Sequence, residues 1–289
     1  MEEVQRKKGI QRFENRDHQS KMIRKIDPNP KRNGENASAV RHNWQESPVM
    51  QPNPDQLINI QISALFVSDA QGRLKYIREP GYQESELDPA PRFFMGRTLH
   101  SNVWRFRHDL PDAVVHTVDQ VCRSEPIAKN LTDPPYQASV IRTALNESGP
   151  ITKEVRGPAY WIPDSVHAPA DAVLISEVNT HLLETHFPWK ITSPSNFKTG
   201  PLVATVVRGK AVSICFCARI TPLAAEAGVE TVEAFRGRGY ASVAVAGWAS
   251  AVRRRGLIPL YSTSWENAAS QGVARKLGMI HYGDDWSIM

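Results

Sequence analysis

Arg236-Gly-Arg-Gly-Tyr-Ala241 is the stretch of this chain whose residue types and spacing could do chemistry. A strand pattern over residues 228–232 runs into it, and a helical pattern over residues 240–255 follows at once. Several consecutive backbone N–H groups then face one concavity at a helix N-terminus, which is a geometry that binds phosphate or pyrophosphate. Gly237 and Gly239 let a ligand approach the main chain closely. Arg236 and Arg238 add charge-assisted bonds. A glycine-rich turn with solvated arginines is the plainer alternative. No Gly-Lys-Ser/Thr follows, and no GxGxxG stands behind an N-terminal strand, so neither nucleotide motif is present.

The elements that must position this loop are regular from residue 169 onward. Strands are expected at 172–175, 202–207, 211–218, 228–232 and 258–264, with a hairpin turn at Arg208-Gly209-Lys210. Helices are expected at 177–186, 240–255 and 267–277, the last capped by Asn267 and stopped by Gly278. A helix of about 16 residues between strands 228–232 and 258–264 makes them parallel neighbours joined by a crossover. Residues 51–168 form a second, less regular region. A helix runs into a strand over 57–67, a strand follows at 74–77, and 80–91 is a loop. Helices are expected at 110–123 and 137–145, and a short aromatic strand at 159–162. The clusters NVWRFRHDLP and GPAYWIP in this half suggest no chemistry of their own.

Composition narrows the function classes. Apolar residues make up 41% and charged residues 22% of 289, which is enough to build a core and excludes a wholly disordered chain. The longest weakly polar run, 241–252, is too short for a membrane span. Three cysteines and no CxxC pair argue against a disulfide framework or a zinc site, and no metal is expected. Cys215 and Cys217 read as core residues on one face of a strand. The net charge of +5 is concentrated in the first 50 residues, where eleven Lys/Arg and seven Asp/Glu give 11 − 7 = +4. The rest is near neutral, so a nucleic-acid groove is not expected. Residues 1–50 read as a flexible basic tail, with Met50 an alternative start. Deleting them is expected to leave the thermal midpoint within about 2 °C, as a calorimetric scan would check. No apolar stretch suits a secretory signal, and a cytoplasmic location is expected.

RGRGYA resembles the Arg/Gln-x-x-Gly-x-Gly/Ala signature of the GNAT superfamily of acyl-CoA N-acyltransferases, and all six positions fit. Downstream, PLYSTSWENAASQGVARKLGM is similar to the family's fifth strand, its Asn-capped helix and a closing Lys-Leu-Gly, with Met279 where Phe is usual. The resemblance is specific over 202–289 and weaker back to 169, and its nearest flavour is the glycine N-acyltransferase-like subgroup. It implies a mixed α/β fold, a GNAT-like twisted sheet flanked by helices, over 169–289; the resemblance is absent before that, where 51–168 reads as a smaller α+β domain of unknown role, with acceptor binding as one option. It also implies acetyl-CoA as co-substrate and a small-molecule amine as acceptor. A protein or peptide acceptor, or a non-catalytic CoA-binding module, are the alternatives, and a homodimer is one association it allows.

The resemblance further implies roles for individual residues. Pyrophosphate would lie on the amides of Arg238, Gly239, Tyr240 and Ala241, with Arg236 and Gly237 in the same loop. Pantetheine would pair with the backbone of Thr231 and Val232 and hydrogen-bond to Asn267, unless Asn267 is a helix cap alone. The Val232 N–H would hold the oxyanion, and Glu230 is the candidate base. The acid that many relatives place seven residues after the Asn is missing, because Ala274 stands there. Tyr261 and Tyr282 are the candidate substitutes.

Overall fold

The computed structural model describes residues 52–289, and the expected tail lies outside the described residues. In chain order the elements are α1 (Pro54–Leu65), β1 (Phe66–Ser68), β2 (Leu74–Ile77), β3 (Phe93–Arg97), β4 (Asn102–Phe106), α2 (Asp112–Arg123), α3 (Ala138–Glu147) and β5 (Glu154–Trp161). Then follow β6 (Ala172–Leu174), α4 (Trp189–Thr192), β7 (Leu202–Val207), β8 (Lys210–Ile220), β9 (Ala224–Thr231), α5 (Tyr240–Arg253), β10 (Ile258–Ser262), α6 (Ala268–Lys276) and β11 (Ile280–Ile288). One sheet of nine strands runs β4-β3-β11-β5-β10-β9-β8-β7-β6, and β1–β2 form a separate hairpin. Every pairing in the large sheet is antiparallel except β9–β10, which is parallel as the crossover helix requires.

Helices cover both faces. On one face α5 and α6 bury Val203, Cys215, Cys217, Ala225 and Tyr261, while α2 and α3 bury Phe93, Met95 and Trp286. On the other, α1 buries Leu57 and Ile58 against Ala159, Trp161, Leu260 and Tyr282. Residues 51–168 and 169–289 share this sheet, since β5 lies between β10 and β11, and β11 in turn pairs with β3. Residues 52–289 accordingly form one compact unit.

Several local expectations are met. Arg208 and Gly209 both take positive φ (51° and 75°), the conformation a two-residue hairpin turn needs. Asn267 caps α6, accepting from the Ser270 N–H at 3.0 Å. The helix expected over 177–186 is a correction, since only a short 3-10 turn, Thr180–Leu183, forms there. Asn179 explains the break: its side chain accepts from the Ser176 amide at 2.7 Å and donates to the Leu174 carbonyl at 3.0 Å, local bonds that compete with a helix. Two strands were not expected, β3 and β4. All five residues of β3 are buried, so it lacks the alternation that marks a strand. β5 starts five residues earlier than expected, running through Pro158, whose carbonyl accepts from Thr263 N–H at 3.3 Å.

Candidate active site

The glycine-rich loop presents a run of free backbone amides. After β9 a short turn, Glu233–Phe235, leads to Gly237 at φ +73° and Gly239 at φ +83°, and α5 begins at Tyr240. The amides of Phe235 and Arg236 are used within the turn, and that of Ser242 bonds the Gly239 carbonyl at 3.1 Å. Between them, the five amides of Gly237, Arg238, Gly239, Tyr240 and Ala241 donate to no acceptor among the described residues. Gly239 caps α5 without a side chain, leaving the helix N-terminus open. Arg236 Nε reaches the Thr231 carbonyl at 3.4 Å, and the Arg238 guanidinium lies 5.7 Å from the Phe235 ring centre. A third cation was not expected: a Cβ added at Gly239 would meet Lys276 Nζ, from the end of α6, at 2.6 Å.

A cleft opens beside this loop, between β9 and β10. The two strands pair only through Ile258–Ala224, Pro259–Ala225 and Leu260–Glu226. Beyond that point β9 continues to Thr231 with no partner on this side, while Tyr261 and Ser262 pair only with β5. A bulge in β8 between Cys217 and Arg219, opposite Ala227 and Glu226, re-aims β9 where the split begins. The Val232 amide bonds the Val212 carbonyl at 2.9 Å. Adjacent residues alternate sides in an antiparallel ladder, so the amides of Thr231 and Val229 face the open edge instead. Val232 N–H is thus not free to hold an oxyanion, a correction set by the β8–β9 register.

β9 and β10 are thus parallel, as the crossover implied, and they part beyond Glu226 beside the glycine-rich loop. The family model for GNAT acetyltransferase matches residues 168–286. This part of the chain belongs to the GNAT superfamily. No curated protein matches the chain. Among solved structures, a GNAT-family protein from Novosphingobium aromaticivorans is 18% identical, with 48% of this chain and 65% of that one covered at a TM-score of 0.38. The chain therefore spans just under two thirds of that relative's length. A GCN5-related N-acetyltransferase-like protein from Streptococcus suis is 14% identical, covering 69% and 85% at 0.40. A GNAT-family acetyltransferase from Colwellia psychrerythraea is 14% identical, covering 65% and 76% at 0.39.

Two glutamates of the GNAT domain lie four residues apart on β9, on the face turned toward α1 and α4. Glu230, the expected candidate, is half-buried, and burial raises its carboxyl against the pull of Lys190. Glu226 was not singled out from the sequence. It stands where the β9–β10 pairing ends, is 4% exposed, and neither of its oxygens has a hydrogen-bond partner among the described residues. Burial pushes its carboxyl up to about 7, against the hydrogen-bonding pull of Ser262, whose groups lie near but outside good bonding geometry, and the charge of Arg219. Lys190 of α4 is also buried, with Nζ 3.0 Å from the Ser195 carbonyl and 3.4 Å from the Phe216 ring centre. Burial brings its ammonium down to about 8.

The two candidate tyrosines lie on opposite faces of the sheet. Tyr261 packs under α6, with its hydroxyl 2.6 Å from Ser270 Oγ, and burial lifts it to about 12. Ala274 is buried in the same cluster. Tyr282 is buried under α1 and donates its O–H to Gln61 Oε1 at 2.9 Å, while Gln61 Nε2 donates to Asp285 Oδ2 at 2.7 Å. The O–H of Tyr282 is thus committed away from α6. Among the described residues no cluster of metal-ligating side chains occurs, and no helix is long and apolar enough to cross a membrane. A concavity of about 460 Å³ beside Arg73, Trp104 and Arg105 borders edge strand β4, which four strands separate from β9.

Proposed function

We propose that the protein is an acyl-CoA-dependent N-acyltransferase that moves an acetyl group from acetyl-CoA to the amine of a small molecule. The observation that carries this reading is the split β9–β10 pair, with five free amides at its head and the buried Glu226 carboxylate at its floor. The amides of residues 237–241, with Arg236, Arg238 and Lys276, suit a pyrophosphate. The exposed backbone edge of β9 at Val229 and Thr231 suits the amide groups of pantetheine, and the Asn267 side chain is engaged as the cap of α6.

Glu226 takes the role first given to Glu230. An amine must lose a proton before it attacks a thioester carbonyl, and a base with a pKa near working pH does this best. The proton passes from the amine to Glu226, the C–N bond forms, and the C–S bond breaks. The Val229 amide, on the open edge nearest Glu226, stabilises the oxyanion in between. CoA leaves as a thiolate, which needs little protonation at neutral pH given a thiol pKa of about 8.5. Tyr261, on β10 beside the cleft, is the hydroxyl available to it.

Calorimetry with acetyl-CoA tests the cradle. Gly239→Glu places a side chain and a negative charge against the pyrophosphate, at a backbone φ that disfavours any side chain. Affinity should fall more than tenfold, about 1.4 kcal/mol or more. Lys276→Ala changes an exposed side chain and should fold normally, with affinity lowered roughly three- to tenfold. Unchanged affinity in both variants would refute the site. Release of CoA thiol on adding members of an amine panel then tests transfer.

A further inference from the structure

Strand β4 ends the nine-stranded sheet, and among the described strands only β3 pairs with it. Two bonds at the ends of that ladder fix its phase. The Arg107 amide bonds the Arg92 carbonyl at 2.9 Å, and the Thr98 amide bonds the Ser101 carbonyl at 2.8 Å. In an antiparallel pair, residues that exchange bonds alternate with residues whose N–H and C=O turn outward. Asn102, Trp104 and Phe106 therefore present their backbone to the free edge, and their amides have no acceptor there among the described residues. The concavity of about 460 Å³ runs along this edge, lined by β4, by Gly72 and Arg73 of the β1–β2 turn and by Asp119 of α2. Val103 packs toward the hairpin and Phe106 toward α2, so the two walls stand on opposite faces of the edge. Both ends are closed. The His108 amide bonds the Leu74 carbonyl at 2.9 Å, and Asn102 Nδ2 donates to the Glu125 and Pro126 carbonyls at 3.0 and 3.2 Å. The slot between them is about 17 Å long, at roughly 3.4 Å per strand residue.

The uncompensated charge in this slot is positive. Arg105 leaves β4 on the hairpin side, as Val103 does, and pairs with no carboxylate among the described residues; its Nη1 turns back to the Trp104 carbonyl at 2.8 Å. Arg73, on the same wall, lies 3.9 Å from the exposed Asp112. Asp119 is already committed, accepting from Trp104 Nε1 at 2.9 Å and Arg123 Nε at 2.8 Å. On the α2 side the half-buried Trp104 indole offers an apolar surface. We propose that this edge docks an extended acidic segment of a partner protein as an added strand, with a carboxylate opposite Arg105 and an apolar side chain opposite Trp104. In antiparallel addition Trp104 exchanges backbone bonds with its opposite residue, and Arg105 falls in a non-bonded pair, where side chains approach most closely. Opposite charges and aromatic–β-branched pairs so placed both favour the pairing. A second copy fits less well, because its own hairpin and α2 would meet these walls, and its β4 brings another arginine in place of a free carboxylate. Four strands separate the slot from β9, so docking leaves the cleft open.

The probe is a capped peptide of about nine residues that alternates valine and aspartate, titrated by calorimetry into the full chain. A peptide with lysine in place of aspartate should bind at least about tenfold more weakly. The valine opposite Trp104 points its N–H at β4, whereas the aspartate N–H groups point away. Methylating the valine amides should therefore weaken binding at least about tenfold, and methylating the aspartate amides should change it less than about threefold. Arg105→Glu, at a half-buried side chain, should reverse the preference between the acidic and lysine peptides. Amide hydrogen exchange on the complex should slow at Asn102, Trp104 and Phe106. The peptide comparisons hold even for a charge-reversed variant that folds poorly. The proposal is overturned if the acidic peptide does not bind, if it binds no better than the lysine peptide, if the position of methylation makes no difference, or if a folded Arg105→Glu keeps the wild-type preference. Sedimentation that finds a dimer protecting these same amides would give the edge to a second copy and overturn it as well.

Discussion

Replacing Glu226 with glutamine is expected to lower kcat roughly 10²–10⁴-fold while leaving acetyl-CoA affinity within about twofold, the range typical of losing a general base. Glutamine keeps the size of the side chain, so the packing beneath α1 survives. The pH profile separates chemistry from structure. A base must be unprotonated to accept a proton, and burial holds Glu226 near 7. Wild-type kcat/KM should therefore rise to a bend near pH 7, where the carboxylate fills. In Glu226→Gln that bend should vanish, leaving a rate that follows only the ionisation of the acceptor amine. Glu230→Gln is the companion variant. Glu230 lies further along β9 and is half-exposed, so its loss should cost less than about tenfold. A Glu226→Gln enzyme that keeps more than about a third of wild-type kcat at pH 7 would remove Glu226 from the mechanism.

The second large effect is on stability. Asp284 of β11 is fully buried and accepts hydrogen bonds from Arg97 Nη2 at 2.7 Å, Arg156 Nη1 at 3.1 Å and Trp265 Nε1 at 2.8 Å. These partners come from β3, β5 and the segment before α6, and Arg156 Nη2 also holds the Thr132 carbonyl at 2.7 Å. Asp284→Ala would strand two guanidinium groups and an indole N–H around an emptied site. Breaking a buried ion pair from one side costs about 3–5 kcal/mol, because the remaining charge is left uncompensated. At roughly 2–4 °C per kcal/mol for a unit of this size, the thermal midpoint should fall by about 10 °C. Asp284→Asn keeps the shape and part of the bonding, so it should lose less. A midpoint shift below about 3 °C in the alanine variant would show that water or rearrangement replaces the carboxylate. Trp265 stands two residues before the Asn267 cap, so acetyl-CoA affinity of the folded alanine variant should drop only modestly.

What was legible in the sequence was local. The positive-φ turn at Arg208-Gly209, the Asn267 cap, the helix after Gly239 and the parallel crossover between β9 and β10 each depend on residues close in the chain. The run of free amides over 237–241 is of the same kind, because consecutive residues supply it. Errors began where partners are distant. β3 is buried along its whole length by elements from both halves of the chain, and no periodicity marks such a strand. The expected helix after β6 failed for a local reason, the competing bonds of Asn179, which helical spacing does not register.

For the candidate base, spacing along the chain places glutamates at 226 and 230 of β9, two periods of the pleat apart and therefore on one face. Only the tertiary structure decided which of them lies at the floor of the cleft. That choice depends on where the β9–β10 pairing stops and where β8 bulges, and both are matters of register between strands. Register also took the Val232 amide into the β8 ladder and turned those of Val229 and Thr231 outward. It sent Tyr261 and Tyr282 to opposite faces. Side-chain type and spacing along one strand follow from the sequence, because the pleat has a fixed period. The offset between strands that no tight turn joins is fixed only when the assembled sheet buries a face.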